Sequence, residues 1–131
     1  MKDLRQQLEE RLQSLESAYN ETGRPRVDFS VYPEDMRENE EAEYNAKVLV
    51  EAARKIEMEN GSGEIDWNNS SQLKYIPWFI MSPSAFAFYD SYYVLSIATA
   101  GSGSRLRVLR WETSDYLGNK FIDIWKKVQL K

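Results

Sequence analysis

The chain predicts an α+β fold: a small antiparallel β-meander of three to four strands packed against a C-terminal helix, with two N-terminal helices ahead of it. Three observations carry that reading. The thirty-residue run from Tyr75 to Ser104 holds one charged residue, Asp90, in a protein that is 29% charged. Its aromatic side chains alternate with period two, which suits strands rather than helices. On either side of the run, apolar residues return at steps of three and four, as on amphipathic helices. The length of 131 residues fits a single domain, 1–131, large enough to bury its own core.

Residues 1–22 are expected to form one amphipathic helix, because Leu4, Leu8, Leu12, Leu15 and Tyr19 make a single stripe. That stripe either packs within the chain or pairs with its copy in a homodimer. Packing is favoured, since about two heptads fall short of the three or four that identify a coiled coil. Gly23 and Pro25 end the helix. Val27, Phe29 and Val31 alternate with polar neighbours and Tyr32, which predicts a short extended segment or edge strand before Pro33. A second helix is expected over 40–60, burying Tyr44, Val48, Leu49, Ala52, Ala53 and Ile56 and closed by the Asn60–Gly63 turn. The six acids and one arginine from Glu34 to Glu43 either stabilise its N-terminus through the helix dipole or form an acidic patch for a partner.

Residues 64–131 are expected to hold the sheet and the last helix. Asp66-Trp67-Asn68-Asn69 reads as a turn whose side chains bond local backbone, with Trp67 anchored in the core. Strands are expected over 74–81, 85–89, 92–99 and 105–109, joined by short turns at 82–84, Asp90-Ser91 and Gly101–Ser104. Pro77 cannot donate to a ladder, so the first strand belongs at an edge or a bulge. From Glu112 to Gln129, Tyr116, Leu117, Phe121, Ile124, Trp125 and Val128 form the buried face of a C-terminal helix that covers one side of the meander.

Composition limits the chemistry. The chain has no cysteine and no histidine, which removes thiolate nucleophiles, disulfides and the commonest general base and metal ligand. Glu64, Asp66 and Asp90 have nothing in the sequence that gathers them at one point. No catalytic residue, metal or cofactor is therefore expected, and the protein is not read as an enzyme. The longest apolar run, Tyr75 to Met81, is too short to span a membrane. The polar start argues against a secretory leader, so a cytoplasmic protein is expected. Net charge is −4, with the acid concentrated in residues 1–63, and this gives no basic footprint for duplex nucleic acid.

Candidate contacts lie in the aromatic half. Arg105 and Arg107 sit two residues apart on one strand face, about 7 Å along it, where two guanidinium forks would either grip neighbouring anionic groups or pair with acids of helix two such as Glu51 or Glu57 to hold the layers together. Ser104 belongs to the Gly101–Ser104 turn, which is either a plain hairpin turn or a backbone cradle for phosphate. Trp78 and Tyr92, with Lys74 beside them, either pack as core and subunit interface or stack on a ligand's rings.

Asp66-Trp67-Asn68-Asn69, Lys74-Tyr75-Ile76-Pro77-Trp78-Phe79, Gly103-Ser104-Arg105-Leu106 and Tyr116-Leu117-Gly118 followed by Phe121 together resemble a widespread family of small proteins encoded by phages and prophages of gut Bacteroidales. The resemblance covers about Tyr44 to Val128. The chain departs from the family's pattern at Ala87, where glycine is usual, and at Arg107-Val108, where cysteine and phenylalanine are. The resemblance implies a phage or prophage origin and the cytoplasm of the bacterial host. On that basis the expected function is a non-catalytic accessory protein that counteracts host defence by binding a host protein or a small anionic ligand such as a nucleotide. Two alternatives remain: a single-stranded nucleic-acid binder using the sheet aromatics with Lys74, Arg105 and Arg107, or a structural or assembly protein of the phage particle that oligomerises through the leucine stripe.

Overall fold

A computed structural model describes residues 2–69, 71–80, 86–94 and 106–130, with Ile80 and Tyr92–Val94 described by backbone alone. Among these residues the fold is α+β: five helices, α1 (Leu4–Arg11), α2 (Leu15–Thr22), α3 (Glu34–Glu59), α4 (Trp111–Lys120) and α5 (Ile122–Leu130), with one hairpin of β1 (Lys74–Ile80) and β2 (Ala87–Val94). α3 is the central element. Ala46, Leu49, Ala53 and Ile56 recur along its inner side with no exposed surface, and the other four helices pack against it. The hairpin lies on α4.

The expected first helix is two. Asp3 and Gln6 open α1 with a reciprocal capping box, but the helix stops at Leu12, whose carbonyl accepts the Tyr116 hydroxyl at 2.8 Å. Ser14 then starts α2, its hydroxyl accepting the Ser17 N–H at 3.2 Å. Leu8 and Leu12 are fully buried within the one chain, and α1 packs mainly on α3 and α4. The leucine stripe is therefore already used and is not presented to a second copy. Gly23, at φ 70°, ends α2 in the left-handed conformation expected of it.

The edge strand expected at Val27–Val31 is instead coil and one 3-10 turn, Phe29–Val31. The Asp28 carboxylate accepts the Ser30 N–H at 3.0 Å, a local bond that competes with an extended backbone. The second helix starts at Glu34, directly after Pro33, so the acidic run forms its first turns instead of preceding them.

The described residues hold part of the expected meander. Among the described residues there are two strands, and the expected segment 105–109 contributes one bridge, Tyr75 with Val108. Asp90-Ser91, expected to turn, lies inside β2 opposite Trp78 and Pro77. Its hold is α4: the Ser91 hydroxyl donates to the Asp115 carboxylate at 2.6 Å and lies 2.8 Å from the Ser114 hydroxyl. A bulge at Trp78/Phe79 leaves Tyr89 between the paired residues Phe88 and Asp90. The expected turns at 82–84 and Gly101–Ser104 and the end of the expected third strand lie outside the described residues.

The expected C-terminal helix is two: α4 covers the hairpin, and α5 packs mainly on α3. The chain bends at Phe121, and the Trp125 indole donates to the Leu117 carbonyl at 3.0 Å across the bend. Trp125 and Phe79 rings meet at 5.8 Å. At Gly118 the helix meets the hairpin so closely that an added Cβ would fall on the Phe88 ring, 2.7 Å from its Cε1, and 3.0 Å from Pro77 Cβ. Only glycine allows that approach.

Candidate ligand cleft on the central helix

The outer side of α3 carries Tyr44, Lys47, Glu51, Arg54, Lys55 and Met58, at helical steps opposite the buried stripe. Two clefts open along it and share Glu51 and Arg54. The first, about 320 Å³, is closed by the segment from Gly63 to Trp67 and by Leu109. The second, about 390 Å³, is closed by Arg24 and Pro25. Both volumes fall at the lower end of the range for small-molecule pockets.

Local sequence builds each wall. After α3, Gly61 and Gly63 adopt φ of 86° and 75° and turn the chain back alongside the helix. Asp66 and Asn69 then bond the N–H groups of Asn68 and Ser71 at 3.0 and 2.9 Å, the local turn expected for these residue types. Gln72 staples the segment from inside, its amide donating to the Glu64 carbonyl at 3.1 Å and accepting the Asp66 N–H at 2.9 Å. This braced loop presents Trp67 under the Arg54 guanidinium, 5.6 Å from the ring centre. Trp67 is 37% exposed, so it is not the core anchor expected from the sequence.

On the other wall, Gly23 turns the chain so that Arg24 grips Glu51 with two bonds of 2.6 and 2.8 Å. The Arg24 bonds hold the Glu51 carboxyl below its usual range, against the opposing effect of partial burial. Tyr44 donates to the Pro25 carbonyl at 2.7 Å. Lys55 donates to the Glu21 carbonyl at 2.9 Å and pairs with its carboxylate at 3.2 Å. Lys47 is exposed and has no hydrogen-bond or ion-pair partner among the described residues. Four cations thus line the two clefts against Glu51 and Glu64, in a protein of net charge −4.

Glu57, on the inner side of α3, sets the far rim. Its buried carboxylate accepts the N–H of Leu109 at 2.9 Å and of Arg110 at 2.7 Å, where α4 begins. Burial raises its pKa, opposed chiefly by these backbone bonds and by Thr113.

The residues singled out from the sequence are not gathered here. Lys74 is 2% exposed, and its ammonium donates to the Asn69 and Gln72 carbonyls at 3.2 and 3.3 Å. It serves the braced loop. Arg107 is 3% exposed, so neither cation is a surface contact. Trp78 is 52% exposed, beside a separate cleft of about 310 Å³ with Ile76 and Gln129. Tyr92 pairs with Ile76 in the hairpin; its side chain, and all of Ser104 and Arg105, lie outside the described residues. The sequence does not single out Lys47 and Arg54, and it marks Glu51 only as a partner for Arg105 or Arg107, whereas Glu51 is held by Arg24. Their signal was available in the outward stripe of α3, but only the glycine turns that fold Trp67 back onto Arg54 give it meaning.

Among the described residues, no helix is long and apolar enough to cross a membrane. No protein-family model, curated protein or solved structure matches the chain.

Proposed function

We propose that the chain is a non-catalytic binding protein that captures an anionic group, carried by a host protein or a small ligand, in the paired clefts on the outer side of α3. The observation that carries this reading is the corner where both clefts meet, with Arg54 held over the exposed Trp67 ring. A guanidinium over an aromatic face supplies both bidentate anion recognition and a flat apolar surface. The resemblance to Bacteroidales phage proteins supports an accessory role against host defence in the host cytoplasm. The burial of Lys74 and Arg107 weighs against a sheet platform for single-stranded nucleic acid. The burial of Leu8 and Leu12 weighs against particle assembly through the leucine stripe.

Native mass spectrometry of the protein purified from its bacterial host tests the reading. The wild type should carry an additional small mass or a partner protein, and Arg54→Glu should lose it while unfolding at an unchanged temperature. Retention of the same species by the variant, or no retained species on the wild type, overturns the proposal.

A further inference from the structure

We infer that the anionic ligand of this cleft is a nucleoside phosphate, its base against Trp67 and its phosphates reaching past Arg54 toward Lys47. This rests on the cleft reading above and names the chemistry of its occupant.

The two clefts differ in the exposure of their aromatic ring, 37% for Trp67 and less for the half-buried Tyr44. Tyr44 is committed: its hydroxyl is bonded to Pro25, and its ring packs on Phe29 at 5.8 Å and Tyr19 at 6.3 Å. Trp67 is set on a loop braced by its own hydrogen bonds and has Arg54 on its ring, with Met58 and Ile65 completing an apolar wall. The base therefore belongs in the Trp67 cleft. The cations divide the opposite way. Lys55 is already engaged by Glu21 and Arg24 by Glu51, whereas Lys47 has no partner among the described residues and lines the second cleft with Arg54. Lys47 and Arg54 are seven residues apart, about 10 Å along the helix, a span suited to a phosphate chain extending from a base.

Glu51 lies between them and faces both clefts. It is a carboxylate the phosphates must pass, and it holds Arg24 by an exposed pair that opens at little cost. Glu51 thus lowers affinity for every anion, and its removal should tighten binding.

Calorimetric titration with ATP, GTP and UTP, against inorganic tripolyphosphate, separates the parts. The nucleotides should bind about 5- to 150-fold more tightly than tripolyphosphate, the range that stacking of one base provides. Trp67→Ala should abolish that difference and leave tripolyphosphate binding intact. Trp67→Phe should keep part of the difference, which also answers any doubt that the loop folds without the indole. Glu51→Gln should tighten both ligand types several-fold, and Lys47→Glu should weaken both. Equal binding of tripolyphosphate and nucleotides, or a difference untouched by Trp67→Ala, overturns the nucleotide assignment and leaves the cleft as a simple anion site. Binding of neither class also overturns it. The broader reading then stands or falls separately on whether Arg54→Glu loses a partner protein in the mass-spectrometric experiment.

Discussion

Glu57 and Glu51 lie about 9 Å apart along α3, and the chain treats the two carboxylates in opposite ways. Glu57 is buried on the inner side and is met by the backbone N–H groups of Leu109 and Arg110. Glu51 is part-exposed on the outer side and is met by the Arg24 guanidinium. Burial outweighs the bonds at Glu57 and raises its pKa, whereas the Arg24 bonds outweigh burial at Glu51 and lower its pKa. A carboxylate that replaces its water with fixed backbone donors is part of the fold. A carboxylate paired in contact with water costs little to rearrange, and that is what a ligand-binding surface needs.

The contrast is sharpest where side chains differ most in burial. Leu49 has no exposed surface, and Leu49→Ala should cost about 2–5 kcal/mol in denaturant unfolding. A loss near that of a surface substitution would show that α3 is not the centre of the core.

Glu57→Gln should cost about 1–3 kcal/mol at neutral pH, because an amide nitrogen would replace one acceptor oxygen opposite a backbone donor. The pH dependence gives a second reading. A carboxyl whose folded pKa is raised contributes stability that is complete below its unfolded pKa and is lost as pH rises through the folded value. The wild type's advantage over Glu57→Gln should therefore widen as pH falls toward the ordinary carboxylate range. A gap that narrows on acidification would mean that the Leu109 and Arg110 bonds outweigh burial.

The smallest effect is expected on the outer side. Glu51→Gln should change stability by less than about 1 kcal/mol near neutral pH. Its sign with pH is reversed: a lowered pKa contributes stability above the unfolded value and loses it as pH falls. The variant and wild type should therefore converge in acid. A large loss at neutral pH would make the Arg24–Glu51 pair part of the fold instead of a pair that opens at little cost.

Much of the helical frame was legible because a buried face repeats in sequence. Ala52, Ala53 and Ile56 announce α3, and Tyr116, Leu117 and Trp125 announce the C-terminal pair. The breaks at Leu12 and Phe121 were not legible. At Leu12 the end carbonyl is taken by Tyr116 from the far end of the chain, and no local pattern encodes that partner. Val27–Val31 misled because alternation alone does not weigh the Asp28 side-chain bond that curls the backbone. Asp90-Ser91 misled for the reverse reason: turn-forming residues stay extended when α4 supplies their partners. The cleft was half legible, since Trp67 and its turn were visible but its neighbour Arg54 was not. The two meet only after the glycines reverse the chain.

Gly118 gives the layered half of the molecule a fixed gauge. The spacing between α4 and the hairpin is set by the absence of one methyl group, with Phe88 and Pro77 resting on bare backbone. Any side chain there acts as a shim, lifting the hairpin and loosening the tilted contact of Phe79 with Trp125. The shim would be felt on the sheet side of the protein, while the cleft walls, tied to α3 and its flanking turns, have no member in that contact. The two sides are still joined at one point, because Lys74 at the head of β1 braces the loop that carries Trp67.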